Sequence, residues 1–206
     1  MRTQGGAAAI FTEPQQRLRR EVLRKYTEMA EAPAEQETRA VRLRELAALG
    51  YPRDIETLPP SAVTSFSGVG CPLRYAEASG GERVLDVGVG PGLDAILASR
   101  AVGPQGTIVG LDMNPAMLRR CAQLLRELRL RNARLVQGDG ELLPFADASF
   151  DLVISNGVSN LSPRKDLFFG EMARVLRRGG RLALADVMLD RSLDKTTRKD
   201  PKAWSS

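Results

Sequence analysis

Between Gly80 and Asp190 the chain alternates short apolar runs with longer amphipathic stretches. The short runs, rich in Val, Leu and Ile, predict buried strands at 83–87, 107–111, 133–137, 150–155 and 181–187. Apolar positions at helical spacing predict helices over 92–101, 115–129 and 164–177. Such alternation implies strands joined by right-handed crossovers, so the expected fold class is α/β with a doubly wound, mostly parallel sheet. Ligands of these sheets gather at the C-terminal strand ends, where the strand order switches.

Two helices are expected ahead of that core. Over 17–32, Leu18, Val22, Tyr26 and Met29 recur at helical spacing, while Arg19, Arg20, Arg24 and Lys25 fall mostly elsewhere, and Pro33 follows as a break. Residues 36–49 form the second candidate, closed by Gly50 and Pro52. The stretch 54–70, rich in Pro, Ser, Thr and Gly, reads as a loop. The chain thus divides into an N-terminal helical cap with its loop (1–79), an α/β core (80–190) and a basic tail (191–206).

The most informative stretch is Arg83 to Gly92, R-V-L-D-V-G-V-G-P-G. A buried strand delivering its end to a glycine loop and then to a helix N-terminus makes a nucleotide pocket. Dinucleotide sites use G-x-G-x-x-G, but Leu93 occupies the third glycine place and the pattern here is G-x-G-x-G, with Asp86 two positions ahead of it. The second strand ends in Asp112, twenty positions after Gly92, where such folds set a carboxylate against ribose hydroxyls. Asp112 or Asn114 could instead cap the helix beginning near Pro115. The third strand reaches Gly138-Asp139-Gly140-Glu141, where Asp139 can accept from an exocyclic amine and Gly140 leaves room for a flat ring. The same residues are also good turn formers. Leu142, Leu143 and Phe145 are candidates to wall a purine, and the fourth strand brings Ser155 and Asn156 to the same rim.

Composition narrows the chemistry. There is no histidine, which excludes Ser-His-Asp and Cys-His catalysis and the usual zinc enzymes; no metal site is expected. Two cysteines, Cys71 and Cys121, show no disulfide or zinc-finger spacing, so a reducing cytoplasm is the expected compartment. Cys121 falls with Met117, Leu124, Leu125 and Leu128 on one apolar helical face and reads as core. The net charge of +5 comes mostly from 191–206, with five basic and two acidic side chains. The body is balanced and lacks interleaved aromatics, so no nucleic-acid partner is expected. No apolar run approaches the ~20 residues of a membrane span.

The glycine pattern resembles the first motif of the class I S-adenosylmethionine (SAM) methyltransferases, and Gly80 to Asp190 resembles that core throughout. Within the class the chain is most similar to the arsenite methyltransferases, on Ser67-Gly68-Val69-Gly70-Cys71, Gly110-Leu111-Asp112-Met113, Leu143 to Asp147, Ile154 to Pro163 and Asp200 to Trp204. The resemblance implies SAM as cofactor and a small-molecule methyl acceptor. It implies that Gly88, Gly90 and Gly92 approach the methionine portion, with Asp86 fixing the loop and the amino group. Asp112 would hold the ribose, Met113 would flank the adenine and Asp139 with Gly140 would define its edge. Ser155 and Asn156 would floor the methyl group, and the N-terminal helix would close over the pocket with Tyr26. Cys71 and Asn156 are the candidate catalytic residues.

Departures from the family are equally specific. The family's arsenic-binding cysteine after Ser-Asn falls on Gly157, and no cysteine follows Trp204 up to Ser206. Soft trivalent arsenic favours several thiolates, so Cys71 alone makes arsenite a poor expected acceptor. The antiparallel hairpin that usually ends such cores is expected to be missing or abbreviated after Asp190. Two rivals stay open: a non-catalytic SAM-binding module, and an NAD(P)-dependent oxidoreductase.

Overall fold

The computed structural model describes residues 11–31 and 39–188. The chain begins with α1 (Glu13–Glu31) and α2 (Arg39–Ala48). Residues 54–70, expected as a loop, instead hold a 3-10 turn (Arg53–Thr57) and a short helix α3 (Pro60–Thr64). Pro52 and Pro59 sit at their N-caps and Pro60 starts α3, so prolines that read as loop signals act here as helix starters.

The core then runs β1 (Arg83–Val87), α4 (Leu93–Val102), β2 (Thr107–Asp112), α5 (Pro115–Glu127), β3 (Ala133–Gln137), β4 (Phe150–Asn156), α6 (Lys165–Val175) and β5 (Leu176–Ala185). The strands form a five-stranded sheet in the order β3-β2-β1-β4-β5, and every pairing in it is parallel. The order reverses between β1 and β4, which places the switch point beside the glycine loop.

Alternate strand residues feed two apolar layers. Val84, Ile108, Leu152 and Ile154 pack against Ile96 of α4 and Leu124 of α5, together with Leu46, Tyr51 and Ile55 from the N-terminal segment. Leu85, Val87, Val109 and Val153 face the other way, onto Phe168, Met172 and Val175 of α6. Because the N-terminal segment shares the first layer, the helical cap and the α/β core bury common surface. Cys121 is fully buried in that layer, as its helical position predicts.

Several element ends differ by a residue or two, α5 and α6 ending at Glu127 and Val175 rather than 129 and 177, and two starts differ by more. Helix α1 starts a turn earlier, at Glu13. The fifth strand was expected at 181–187 but extends from Leu176 to Ala185, because α6 passes directly into an extended segment that bends through Gly179 and Gly180. The register shift between Phe150 and Leu152 absorbs that bend. The expected 191–206 tail, and any hairpin after Asp190, lie outside the described residues. Among the described residues no helix is long and apolar enough to cross a membrane.

Candidate functional site

The strand tips open onto a cleft with about 860 Å³ of empty space, part of it continuous with solvent. Its floor is built by chain turns at the ends of β1, β2 and β3, and its roof by one face of α1. Gly88 and Gly90 line it from the first turn, Asp112 and Met113 from the second, and Asp139 and Gly140 from the third. Asn156 and Gly157 close one end, and Arg19, Val22, Leu23 and Tyr26 come down from α1.

Backbone bonds fix the first turn. The N–H groups of Gly88 and Val89 both donate to Leu111 O (2.7 and 2.9 Å), tying the loop to β2. Gly88 has φ +78°, and a Cβ there would sit 2.3 Å from Val158 Cγ2, so only glycine fits. Gly90 N–H donates to Asp112 Oδ2 (2.9 Å), while Asp112 Oδ1 accepts from Asn114 N (2.8 Å). Two bonds leave lone pairs on that carboxylate for further donors. Burial raises the Asp112 pKa, and the backbone donors work against it. Capping of α5 falls to Asn114, whose Oδ1 accepts from Ala116 N (2.9 Å).

Three residues expected in the pocket lie behind its wall. Gly92 faces α5: at φ +101°, a Cβ would meet Cys121 Sγ at 2.5 Å, so this glycine serves helix packing. Ser155 is buried and donates to Val87 O (2.7 Å), stitching β4 to β1. Asp86 is 2 % exposed beneath the glycine loop, and its Oδ2 has no hydrogen-bond partner. Burial pushes its pKa well up, and neighbouring Asp94 and Asp112 push the same way. Leu142, Leu143 and Phe145 do not line the cleft either; Leu143 is buried in the α6 layer and Leu142 is exposed.

The two candidate catalytic residues part company. Asn156 reaches the cleft, but its polar atoms are already engaged. Its Oδ1 accepts from Val69 N (2.8 Å) and Gly70 N (3.3 Å). Its Nδ2 donates to Gly70 O (2.7 Å) and Asp94 Oδ2 (2.9 Å). Tyr51 completes the cluster by donating to Asp94 Oδ1 (2.7 Å). Asn156 is therefore a strut that holds the 67–70 loop against α4. Cys71 is buried, borders a separate hollow beside Pro52, Leu73 and Arg74, and does not line the main cleft. Burial raises its thiol pKa, which disfavours the thiolate.

One lining residue, Arg19, and two residues that support the wall, Asp94 and Tyr51, were not singled out from the sequence. Arg19 crosses from α1 to pair with both Asp139 and Glu141. It sits at helical spacing with Val22 and Tyr26, and that register is the signal that could have found it. Asp94 and Tyr51 had no local signal, because their partners are distant in sequence. Burial raises the Asp94 pKa to about 6 against the opposing effect of its two donors. Burial likewise raises the Tyr26 pKa, with Asp112 and Asp186 adding to it.

Known proteins carry the same architecture. Residues 78–206 match the methyltransferase domain family. An arsenite methyltransferase from Halobacterium salinarum is 38% identical over 155 residues, covering 74% of this chain and 39% of that protein. A probable phthiotriol/phenolphthiotriol dimycocerosates methyltransferase from Mycobacterium ulcerans is 43% identical over 107 residues, covering 52% and 40%. The crystal structure of an arsenic(III) S-adenosylmethionine methyltransferase from Chlamydomonas reinhardtii superposes with a TM-score of 0.61 at 35% identity, over 83% of this chain and 55% of that one. The chain spans about two fifths of the length of these curated relatives. On the matched domain, the parallel sheet and the glycine loop at its switch point, this chain belongs to the methyltransferase domain family of class I SAM-dependent methyltransferases.

Proposed function

We propose that this chain binds SAM along the strand tips and transfers its methyl group to a small-molecule acceptor. The observation that carries the reading is the convergence of Gly88 and Gly90, Asp112 and Met113, and Asp139 and Gly140 on one roofed cleft. The donor set suits the cofactor. Asp112 retains lone pairs for two ribose hydroxyls, and Met113 offers an apolar flank for adenine. The orphaned Asp86 Oδ2 lies behind the wall, beneath the loop, and suits an ammonium reached through a bridging water. In this reading 1–79 caps the site, 80–190 holds the cofactor, and 191–206 is a basic tail.

When bound, SAM supplies a methyl group on a sulfonium that is already a good leaving group. The chain's own task is alignment and exclusion of water. The roof of Val22, Leu23 and Tyr26 serves exclusion, and the Asn156 strut keeps the acceptor-side loop in place. Among the described residues no thiol lines the cleft, and Gly157 presents none. That favours an acceptor carrying its own nucleophilic atom over arsenic held by protein thiolates. The acceptors named for the relatives, arsenite and a phthiotriol-type lipid, themselves differ in kind.

The test is release of S-adenosylhomocysteine (SAH) from SAM over a panel of hydroxyl, carbon-acid, thiol and glutathione-bound arsenical acceptors. At least one acceptor should give turnover, with Cys71→Ser unaffected. Asp112→Ala should raise the KM for SAM by about ten- to a hundredfold, the loss of charge-assisted bonds to the ribose. SAM binding without release on any acceptor would favour the non-catalytic module instead.

A further inference from the structure

The cleft is closed at its adenine end by a single guanidinium. Arg19 Nη2 donates to Asp139 Oδ2 and Nη1 to Glu141 Oε2. The remaining carboxylate oxygens are held by the loop itself. Asp139 Oδ1 accepts from Glu141 N (2.9 Å), and Glu141 Oε1 accepts from Ser162 Oγ (2.5 Å) and Arg164 N (2.9 Å). On its other side the Arg19 Cζ lies 4.1 Å from the centroid of the Phe11 ring. The Glu141 side chain is 2% exposed, and Arg19 is the cation paired with it. The neighbouring cationic groups are engaged elsewhere: the Arg164 guanidinium with Asp166 and the Lys165 amine with Ser159 O.

Helix α1 is anchored at both ends on different elements. Its C-terminal half is held to α5, through Asn114 Nδ2 on Thr27 Oγ1 (3.0 Å) and Arg120 Nη1 on Ala30 O (3.1 Å). Its N-terminal half is held by Arg19 to the turn after β3. Val22, Leu23 and Tyr26 lie between the two anchors and face the cleft. The helix is thus a strap across the opening, and only one of its anchors touches a residue assigned to the cofactor.

We propose that Arg19 is a positioning residue that fixes the Asp139 carboxylate for the adenine and latches α1 over the cleft, so that cofactor leaves only when this pair opens. The proposal rests on the SAM reading and extends it to the control of cofactor residence. Arg19 takes one Asp139 oxygen and the Glu141 N–H the other, which fixes the carboxylate plane and spares lone pairs for an exocyclic amine. A lysine could replace the charge but not the two-armed grip.

The test is the dissociation rate of SAH, measured by competitive displacement from the wild type, Arg19→Met and Arg19→Lys. Arg19→Met keeps the apolar stem and should release SAH roughly tenfold faster with a smaller change in association rate. Arg19→Lys should recover part of the loss. Trypsin should cut within α1, which carries Arg17, Arg20, Arg24 and Lys25, faster in Arg19→Met; bound SAH should slow that cut in the wild type. Should Arg19→Met fail to fold, Glu141→Gln loosens the same latch from the loop side and should show the same direction. Dissociation within twofold of wild type in folded variants overturns the latch while leaving the SAM reading intact. A wild type that binds neither SAM nor SAH overturns both.

Discussion

At the residue scale, the site depends on carboxylates withdrawn from water, Asp86 and Asp94 buried and Asp112 half-buried in the cleft wall. Asp86, Asp94 and Asp112 sit beside or beneath the glycine loop, and burial raises the pKa of each. Burial moves the Asp94 pKa up to about 6, while Tyr51 and Asn156 donate to its two oxygens and oppose the rise. A carboxyl that holds its proton more tightly when folded stabilises the protein at low pH. That contribution is complete below about pH 4 and is lost as pH rises through about 6. Asp94→Asn removes the titration and keeps the shape. Melting curves of the two proteins without cofactor should therefore diverge, the wild type losing ground to the variant from pH 4 to 7 and no further above it. Parallel curves across that range would show that Asp94 is not the group responsible. The sequence made Asp86 and Asp112 visible because each stands at a strand end beside glycines. It gave no sign of Asp94, one more polar residue in a helix start, because its partners lie 43 and 62 positions away. Ser155 and Asn156 show the same limit on a smaller scale. They are neighbours that both read as rim residues, but successive strand side chains point oppositely, so only Asn156 reaches the cleft.

At the element scale, hydrophobic period was enough to locate the strands and the helices between them, because the central strands β1, β2 and β4 are buried on both faces and α5 on one. What it could not resolve were the short elements. The 53–57 turn and α3 span too few residues to show a period, and their prolines mimic a loop. Yet this segment matters, since it leads into the 67–70 loop that Asn156 holds. Losing that side chain would leave the half-buried Gly70 N–H without its partner and remove a donor from buried Asp94, while the exposed Val69 N–H turns to water. Urea unfolding of Asn156→Ala without cofactor should show a loss of about 1–3 kcal/mol, the range for buried groups left without partners. A change under about 0.5 kcal/mol, typical of an uninvolved surface position, would mean that the loop is held by something other than this strut. The roof was half legible: periodicity located the helix and Tyr26, whereas its contact with the β3 turn joins residues 120 positions apart.

At the scale of the whole molecule, one sheet, two apolar layers and a strap make a binding cleft whose parts are spread along the chain from Arg19 to Phe168. Residues 46–63 join the first layer, while α1, which forms the roof, is bonded to α5, so both parts of the cap depend on the folded core. Any ligand filling the cleft should therefore stabilise the chain as a unit. A ligand that binds only the folded state stabilises it by about 2.7 kcal/mol at a hundred times its dissociation constant. For a chain of this length each kcal/mol moves the melting midpoint by roughly 2–4 °C, so saturating SAM or SAH should raise it by roughly 5–10 °C. NAD or NADP should produce no shift, since Leu93 occupies the third glycine place of a dinucleotide loop and the first turn is bonded to β2 around Asp112. A single transition that moves as one would support the common layer. Two transitions, with only the later one responding to SAM, would mean that cap and core fold apart, and that the roof closes over a site already complete without it.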